Sequence, residues 1–188
     1  MDALMAALVL GALCQAGDKT PWLAAILGDR WQRRGLVVAA AVLAFAVNYG
    51  LAVVGGVLVA PLLTPRAGSL LLALALLLAG LTTTLRNRAP DRLEGWRTGP
   101  LLTAGLGLLI IVLGDRMQLV ALALAARSPL PWAAAVGATL GALAVALPAT
   151  MLGERAWLAL PQRAIRIGSA LVLVFAGLWI GFAAIGIA

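Results

Sequence analysis

The chain has 188 residues, 63% hydrophobic and 11% charged, with a mean hydropathy of +1.06. A soluble domain carries about 25% charged residues, so this composition excludes a soluble globular protein and places nearly all of the mass in a bilayer. The net charge of +7 sits in short loops between apolar runs, which is a pattern of membrane topology and excludes a nucleic-acid footprint.

Six apolar segments follow in chain order. The first runs about Ala3–Gly28. Asp2 stands ahead of it where a signal peptide would carry bases, so it reads as a retained helix. The stretch before Gln15 resembles a lipoprotein cleavage site, but Leu13 is bulky where a small residue is needed. The second segment runs about Gly35–Ala60. The third, Ala67–Leu85, is fixed between Arg66 and Arg86. Its length, at about 1.5 Å per residue, gives roughly 28 Å, which matches a hydrocarbon core of about 30 Å. The fourth runs about Pro100–Ala126, the fifth about Pro131–Leu152, and the sixth, Ile167–Ala188, has no charge. A segment in lipid must satisfy its own backbone, so all six are predicted helices, and the alternation of a β-barrel is absent.

The loops predict orientation. Those after segments one, three and five hold Arg30, Arg33, Arg34, Arg86, Arg88, Arg92, Arg97, Arg155, Arg163 and Arg166; those after two and four hold Arg66 and Arg127. Ten against two places both termini outside the cytoplasm. With Lys19 the single lysine, the bases are nearly all Arg, a bias of GC-rich bacterial genomes, so a bacterial inner membrane is the expected location. The predicted architecture is an all-α integral membrane protein of six transmembrane helices in two inverted three-helix repeats. The first repeat covers 1–88, a cytoplasmic linker 89–98, and the second repeat 99–188. The linker is expected to be a solvated connector. Trp22, Trp31, Trp96, Trp132 and Trp157 fall near segment ends and read as interface anchors. Glu154 reads as a solvated charge.

Two apolar segments carry a matched triplet. Gly17-Asp18-Lys19 lies in the first and Gly114-Asp115-Arg116 in the fourth. A carboxylate at the centre of a spanning helix costs about 2.5–3.5 kcal/mol on insertion scales. Two of them at matched places point to an ion or proton site at a repeat interface. Asp18 precedes Arg30 by the same spacing as Asp115 precedes Arg127, so both are expected roughly 18 Å from opposite faces, near the midplane. Lys19 and Arg116 are the charge partners; cross-pairing of Asp18 with Arg116 and of Lys19 with Asp115 fits this geometry. A purely structural pairing is the competing explanation.

Gln15, one turn before Asp18, supplies a neutral oxygen on the same face. Pro21 lacks the N–H that would reach back to Gly17, which makes the Gly17 carbonyl a candidate cation ligand. Thr20, Gln118 and Asn48 are further polar candidates, each also explained by an interhelical hydrogen bond. Gly17 and Gly114 are equally explained by close packing. The lack of His excludes His-based metal sites and proton relays, and the single Cys14 excludes an internal disulfide. No phosphate loop, nucleophile–base pair or thiolate cluster supports an enzyme, and no cofactor is expected.

At these residues the chain resembles the Gdt-one type of cation–proton exchangers, also called uncharacterised protein family sixteen. The resemblance covers essentially the whole chain. It implies six helices in two inverted halves, each with Glu-x-Gly-Asp-Lys/Arg-Ser/Thr on its first helix, and exchange of calcium or manganese for protons at those acids. Here the copies are Gln15-Ala16-Gly17-Asp18-Lys19-Thr20 and Val112-Leu113-Gly114-Asp115-Arg116-Met117. Gln15 and Val112 replace Glu, and Met117 replaces Ser/Thr. Asp18 and Asp115 carry over as acidic ligands, with Thr20 as a hydroxyl. With Lys19 and Arg116 the site sums to about zero charge, which suits loosely held manganese better than a tight calcium site.

The expected function is therefore exchange of a divalent cation, manganese ahead of calcium, for protons, with the cation as substrate and the lipid bilayer as surroundings. Two alternatives stand beside it. One is a small polar solute or amino-acid exporter, with Lys19 and Arg116 holding a carboxylate. The other is a degenerate membrane protein without transport. Both halves lie in one chain, so a monomer suffices, and a homodimer is equally compatible.

Overall fold

The computed structural model describes residues 2–31, 33–85, 88–96 and 99–186. Arg86 and Arg97, counted above among the loop bases, and the end of the sixth segment at Ala188 lie outside the described residues.

Among the described residues all regular structure is helical. The helices are α1 Asp2–Gln15, α2 Lys19–Arg30, α3 Arg34–Val59, α4 Pro65–Thr84, α5 Pro100–Val112, α6 Arg116–Arg127, α7 Pro131–Ala159 and α8 Gln162–Ile185. Prolines open α4, α5 and α7, where the missing N–H has no partner to lose. Thr64 caps α4 by accepting from the Ala67 N–H at 3.2 Å.

Four stretches are long and apolar enough to cross a bilayer: Arg34–Leu62, Pro65–Thr84, Pro131–Ala159 and Gln162–Ile185. The pair Pro100–Val112 and Arg116–Arg127, bent by 70°, makes a fifth as a broken span. α1 is a shorter apolar helix of 14 residues. Segments one and four are thus interrupted where continuous helices are expected. The cause is Gly17 and Gly114, whose φ values of +75° and +78° lie in the left-handed region and end α1 and α5. Pro21 is not the breaker. It occupies the third position of α2, where an N–H has no intrahelical partner in any case. α7 also turns sharply at Gly153, φ +79°, where Asp29 accepts the Glu154 N–H at 2.7 Å.

Packing relies on small residues that let backbones meet. α1 lies so close on α7 that a Cβ at Gly137 or Gly141 would fall on the carbonyls of Leu4 or Leu8. Gly56 of α3 meets α6 at Leu122 in the same way, and Gly80 of α4 meets α8 at Val174. α1 and α2 pack on α7; α5 and α6 pack on α3; α3 packs on α7 and α4 on α8. α4 also packs on α6. The outer surface is apolar: Leu58, Leu171, Phe175 and Trp179 are each more than 60% exposed, as a lipid-facing surface requires.

The described part of the linker, 89–96, is more than a solvated connector. Leu93 is buried, with its side chain against Gly107 of α5. Arg30 at the end of α2 donates to the Leu93 carbonyl at 2.9 Å and the Arg92 carbonyl at 3.3 Å. Arg92 pairs with Glu154 at 2.8 Å, and Glu154 also accepts from the Trp22 indole at 3.2 Å. Glu154 is therefore a junction between α2, α7 and the linker, not a free solvated charge.

Candidate functional site

The two breaks lie side by side. Each turns the chain through a glycine and then starts a helix on an acid: Asp18 is the cap of α2 and Asp115 the cap of α6. A carboxylate at a helix N-terminus faces the positive end of the helix dipole, worth about 0.3–1 kcal/mol on a surface and more when partly buried. That placement helps explain how the chain tolerates two acids among apolar helices.

The breaks are joined by side chains from opposite halves. Arg116 of α6 forms an ion pair with Asp18, and both side chains are largely buried. The other oxygen of Asp18 accepts from the Thr20 hydroxyl at 3.1 Å. Arg116 also donates to Thr83, near the end of α4. Gln15 donates through Nε2 to Asp115 at 2.8 Å and to the Tyr49 hydroxyl at 3.2 Å. Its Oε1 is buried without a hydrogen-bond partner among the described residues.

One of the two expected cross-pairs is present. Lys19, exposed in the cleft, makes no ion pair among the described residues; Gln15 takes the place beside Asp115 instead. Gln118 uses its side-chain oxygen to accept the Gly114 N–H at 2.8 Å, closing the second break. Asn48 is fully buried in α3 next to Tyr49, and neither amide atom has a hydrogen-bond partner among the described residues. Gly17 adjoins Asp18 with Arg166 directly over it, since a Cβ at Gly17 would meet the Arg166 stem.

Arg166 is a site neighbour that the sequence does not signal. It lies in the second turn of α8, and Thr83 lies at the last turn of α4. The last turn of α4 and the first turns of α8 therefore lie at the level of the breaks, and beyond them the protein is hollow. Asp18 lines three cavities. One of about 320 Å³ also contains Lys19, Asp115 and Arg116. A second, about 820 Å³, runs under the linker past Arg88, Asp91 and Leu93. A third, about 570 Å³, lies between α2 and α8 beside Trp22, Trp157 and Arg166. A fourth hollow, about 360 Å³, opens at the other end by Asp2 and Arg127 and stops at Ala6, Leu72 and Leu124. Buried Cys14, Leu76, Met117 and Val120 close the interior between it and the breaks.

Among the described residues no three of His, Cys, Asp or Glu come together. A dication here would meet two carboxylates, the Gln15 Oε1 and neutral oxygens, a donor set of hard oxygens with few charges.

The family model described as "Divalent cation/proton antiporter GDT1" matches residues 3–91 and 100–187. A protein of Vibrio cholerae serotype O1 described as "Putative manganese exporter" is 31% identical over 160 residues, covering 82% of this chain and 78% of that protein. No solved structure matches the chain.

Proposed function

Because this chain belongs to the GDT1 family of divalent cation/proton antiporters, we propose that it exports manganese in exchange for protons, with Asp18 and Asp115 as the alternating ligands. The observation that carries this reading is the meeting of two glycine-broken helices at two acids, Asp18 buried and Asp115 partly exposed, held by Arg116 and Gln15. Helix ends exposed at a break are how transporters present backbone and carboxylate to an ion. Manganese is favoured over calcium because the donor set is hard but short of charge, and because the Vibrio relative is described as a manganese exporter.

In this reading α1 and α2 form a broken span like α5 and α6, which gives six spans in two inverted halves, 1–88 and 99–188, joined by 89–98. The packing supports it. Exchanging α1 for α5, α2 for α6, α3 for α7 and α4 for α8 turns the α1–α7 contact into α5–α3 and α2–α7 into α6–α3. The family model matches in two stretches, 3–91 and 100–187, that part near the linker. The arginine-rich end lies in the cytoplasm of a bacterium, with both termini outside. The cavities then open inward, and cation reaches Asp18 from the cytoplasm. Loading requires Arg116 to leave Asp18, since both oxygens of that carboxylate are taken.

The test is proton movement in liposomes with an internal pH dye on addition of manganese, calcium or magnesium. Manganese-dependent flux, lost in Asp18→Asn and Asp115→Asn, is the expected result. No flux from folded, inserted wild-type protein, or equal flux in the variants, overturns the proposal.

A further inference from the structure

The 570 Å³ cavity between α2 and α8 has a chemistry opposite to that of a cation site. Arg163 and Arg166 line it, and neither has a carboxylate partner among the described residues. The Arg166 Nε is buried with no hydrogen-bond partner among the described residues, and its Nη1 donates to the Leu85 carbonyl at a long 3.4 Å. Asp18 is the one acid on the wall, and Arg116 and Thr20 already occupy it. A buried guanidinium donor without a partner is costly, by about 1–3 kcal/mol or more. The cavity also meets the start of α8, at Gln162 and Arg163. There the Gln162 N–H is taken by the Leu160 carbonyl at 2.7 Å, the next N–H groups have no carbonyl one turn back within the helix, Pro161 supplies no side-chain cap, and the helix dipole is positive.

We propose that this cavity is a binding site for a phosphate-bearing anion, supplied by the headgroup of an anionic phospholipid. Arg binds phosphate oxygens through paired N–H donors, which uses the idle Nε. Depth favours lipid as the source. From Ile167 to Ile185 α8 runs roughly 28 Å, enough to cross the hydrocarbon core unaided, so Arg163 starts from headgroup level and the Arg166 side chain reaches inward over Gly17. Exposed Ile167 and Leu171 continue from there as an apolar track for an acyl chain. Trp22 and Trp157 flank the pocket, and α8 has no packing on α2 comparable to that of α4 on α6, so the groove is open from the side. Basic pockets between spanning helices bind anionic headgroups in this way. The bound phosphodiester, with its single negative charge, offsets one of the two positive charges beside Asp18 and fixes Arg166 over the Gly17 turn. The inference rests on the membrane location alone and stands apart from which ion is transported.

The experiment is thermal unfolding of the purified protein in neutral detergent, with short-chain phosphatidylglycerol, short-chain phosphatidylcholine or inorganic phosphate added. Phosphatidylglycerol at about 100 times its Kd is expected to raise the midpoint by about 5–10 °C, and phosphatidylcholine is expected to leave it unchanged. Arg163→Gln with Arg166→Gln removes the shift, whereas Arg33→Gln with Arg34→Gln, the same charge taken from an exposed stretch, retains it. Should the first pair fail to fold, Arg163→Gln alone, at an exposed position, must weaken the shift. An equal shift with phosphatidylcholine, or one that survives loss of Arg163 and Arg166, overturns the site. An equal shift with inorganic phosphate overturns the lipid assignment.

Discussion

The guanidinium of Arg116, which opens α6, is clamped on the carboxylate of Asp18, which caps α2. The pair links two stretches of chain 98 residues apart and sits largely out of solvent. Breaking such a pair from one side leaves a buried charge uncompensated, at a cost of about 3–5 kcal/mol. Arg116→Gln should therefore destabilise strongly in denaturant unfolding. Asp18→Asn combined with Arg116→Gln should be the more stable of the two proteins, because no charge is stranded. Equal stability of the single and double variants would mean that the pair carries no coupling.

Gln15 offers a gain-of-ligand test. Its amide donates to Asp115 at 2.8 Å while its oxygen has no hydrogen-bond partner among the described residues. Gln15→Glu replaces that donor with a second carboxylate. Without metal the like charges should lower the unfolding midpoint. With manganese the added charged oxygen should tighten binding by about tenfold, since ligand charge count tunes dication affinity. Titrating manganese against the thermal midpoint of both proteins checks both halves of the expectation.

The two break glycines should differ in sensitivity. At Gly114 no atom lies within 4 Å of an added Cβ, so Gly114→Ala meets only the left-handed backbone penalty, about 1–2 kcal/mol. At Gly17 the same penalty adds to a collision with the Arg166 stem. Gly17→Ala should lose more stability than Gly114→Ala, and Arg166→Ala in the same chain should recover part of the difference.

Helix glycines separate in the same manner. Gly50 of α3 has open space around it, so Gly50→Ala should stabilise by about 0.5–1 kcal/mol. Gly141→Ala drives a methyl into the Leu8 carbonyl of α1 and should cost about 1–3 kcal/mol. A chemical unfolding curve for each variant gives the sign.

The long apolar runs were legible as helices because in lipid a backbone has few other options. α3, α4, α7 and α8 begin or end within a few residues of the composition boundaries. The breaks were harder to place. A glycine beside an acid reads equally as a packing contact or a turn, and Pro21 draws attention to a position where proline does no harm. The second break, which has no proline, shows that the positive φ of glycine suffices. Asp18 with Arg116 was readable from the matched triplets. The missing Lys19–Asp115 pair was not, since it depends on Lys19 pointing into the cleft while Gln15 reaches across. Arg166 belongs to a distant helix whose start lies against Gly17, and one-dimensional spacing carries no mark of that contact.

The protein is hollow from its arginine-rich end down to Asp18 and packed from there to Ala6 and Leu124. Solvent in the hollow carries the electrical potential of that side to the break, so the membrane voltage falls across the packed stretch. In the exchange proposed above, a dication loading at Asp18 from the hollow would sense little of the field. One leaving for the far side crosses nearly all of it, about 4.6 kcal/mol per 100 mV for two charges. Voltage thus acts on the crossing step and leaves the loading step almost untouched.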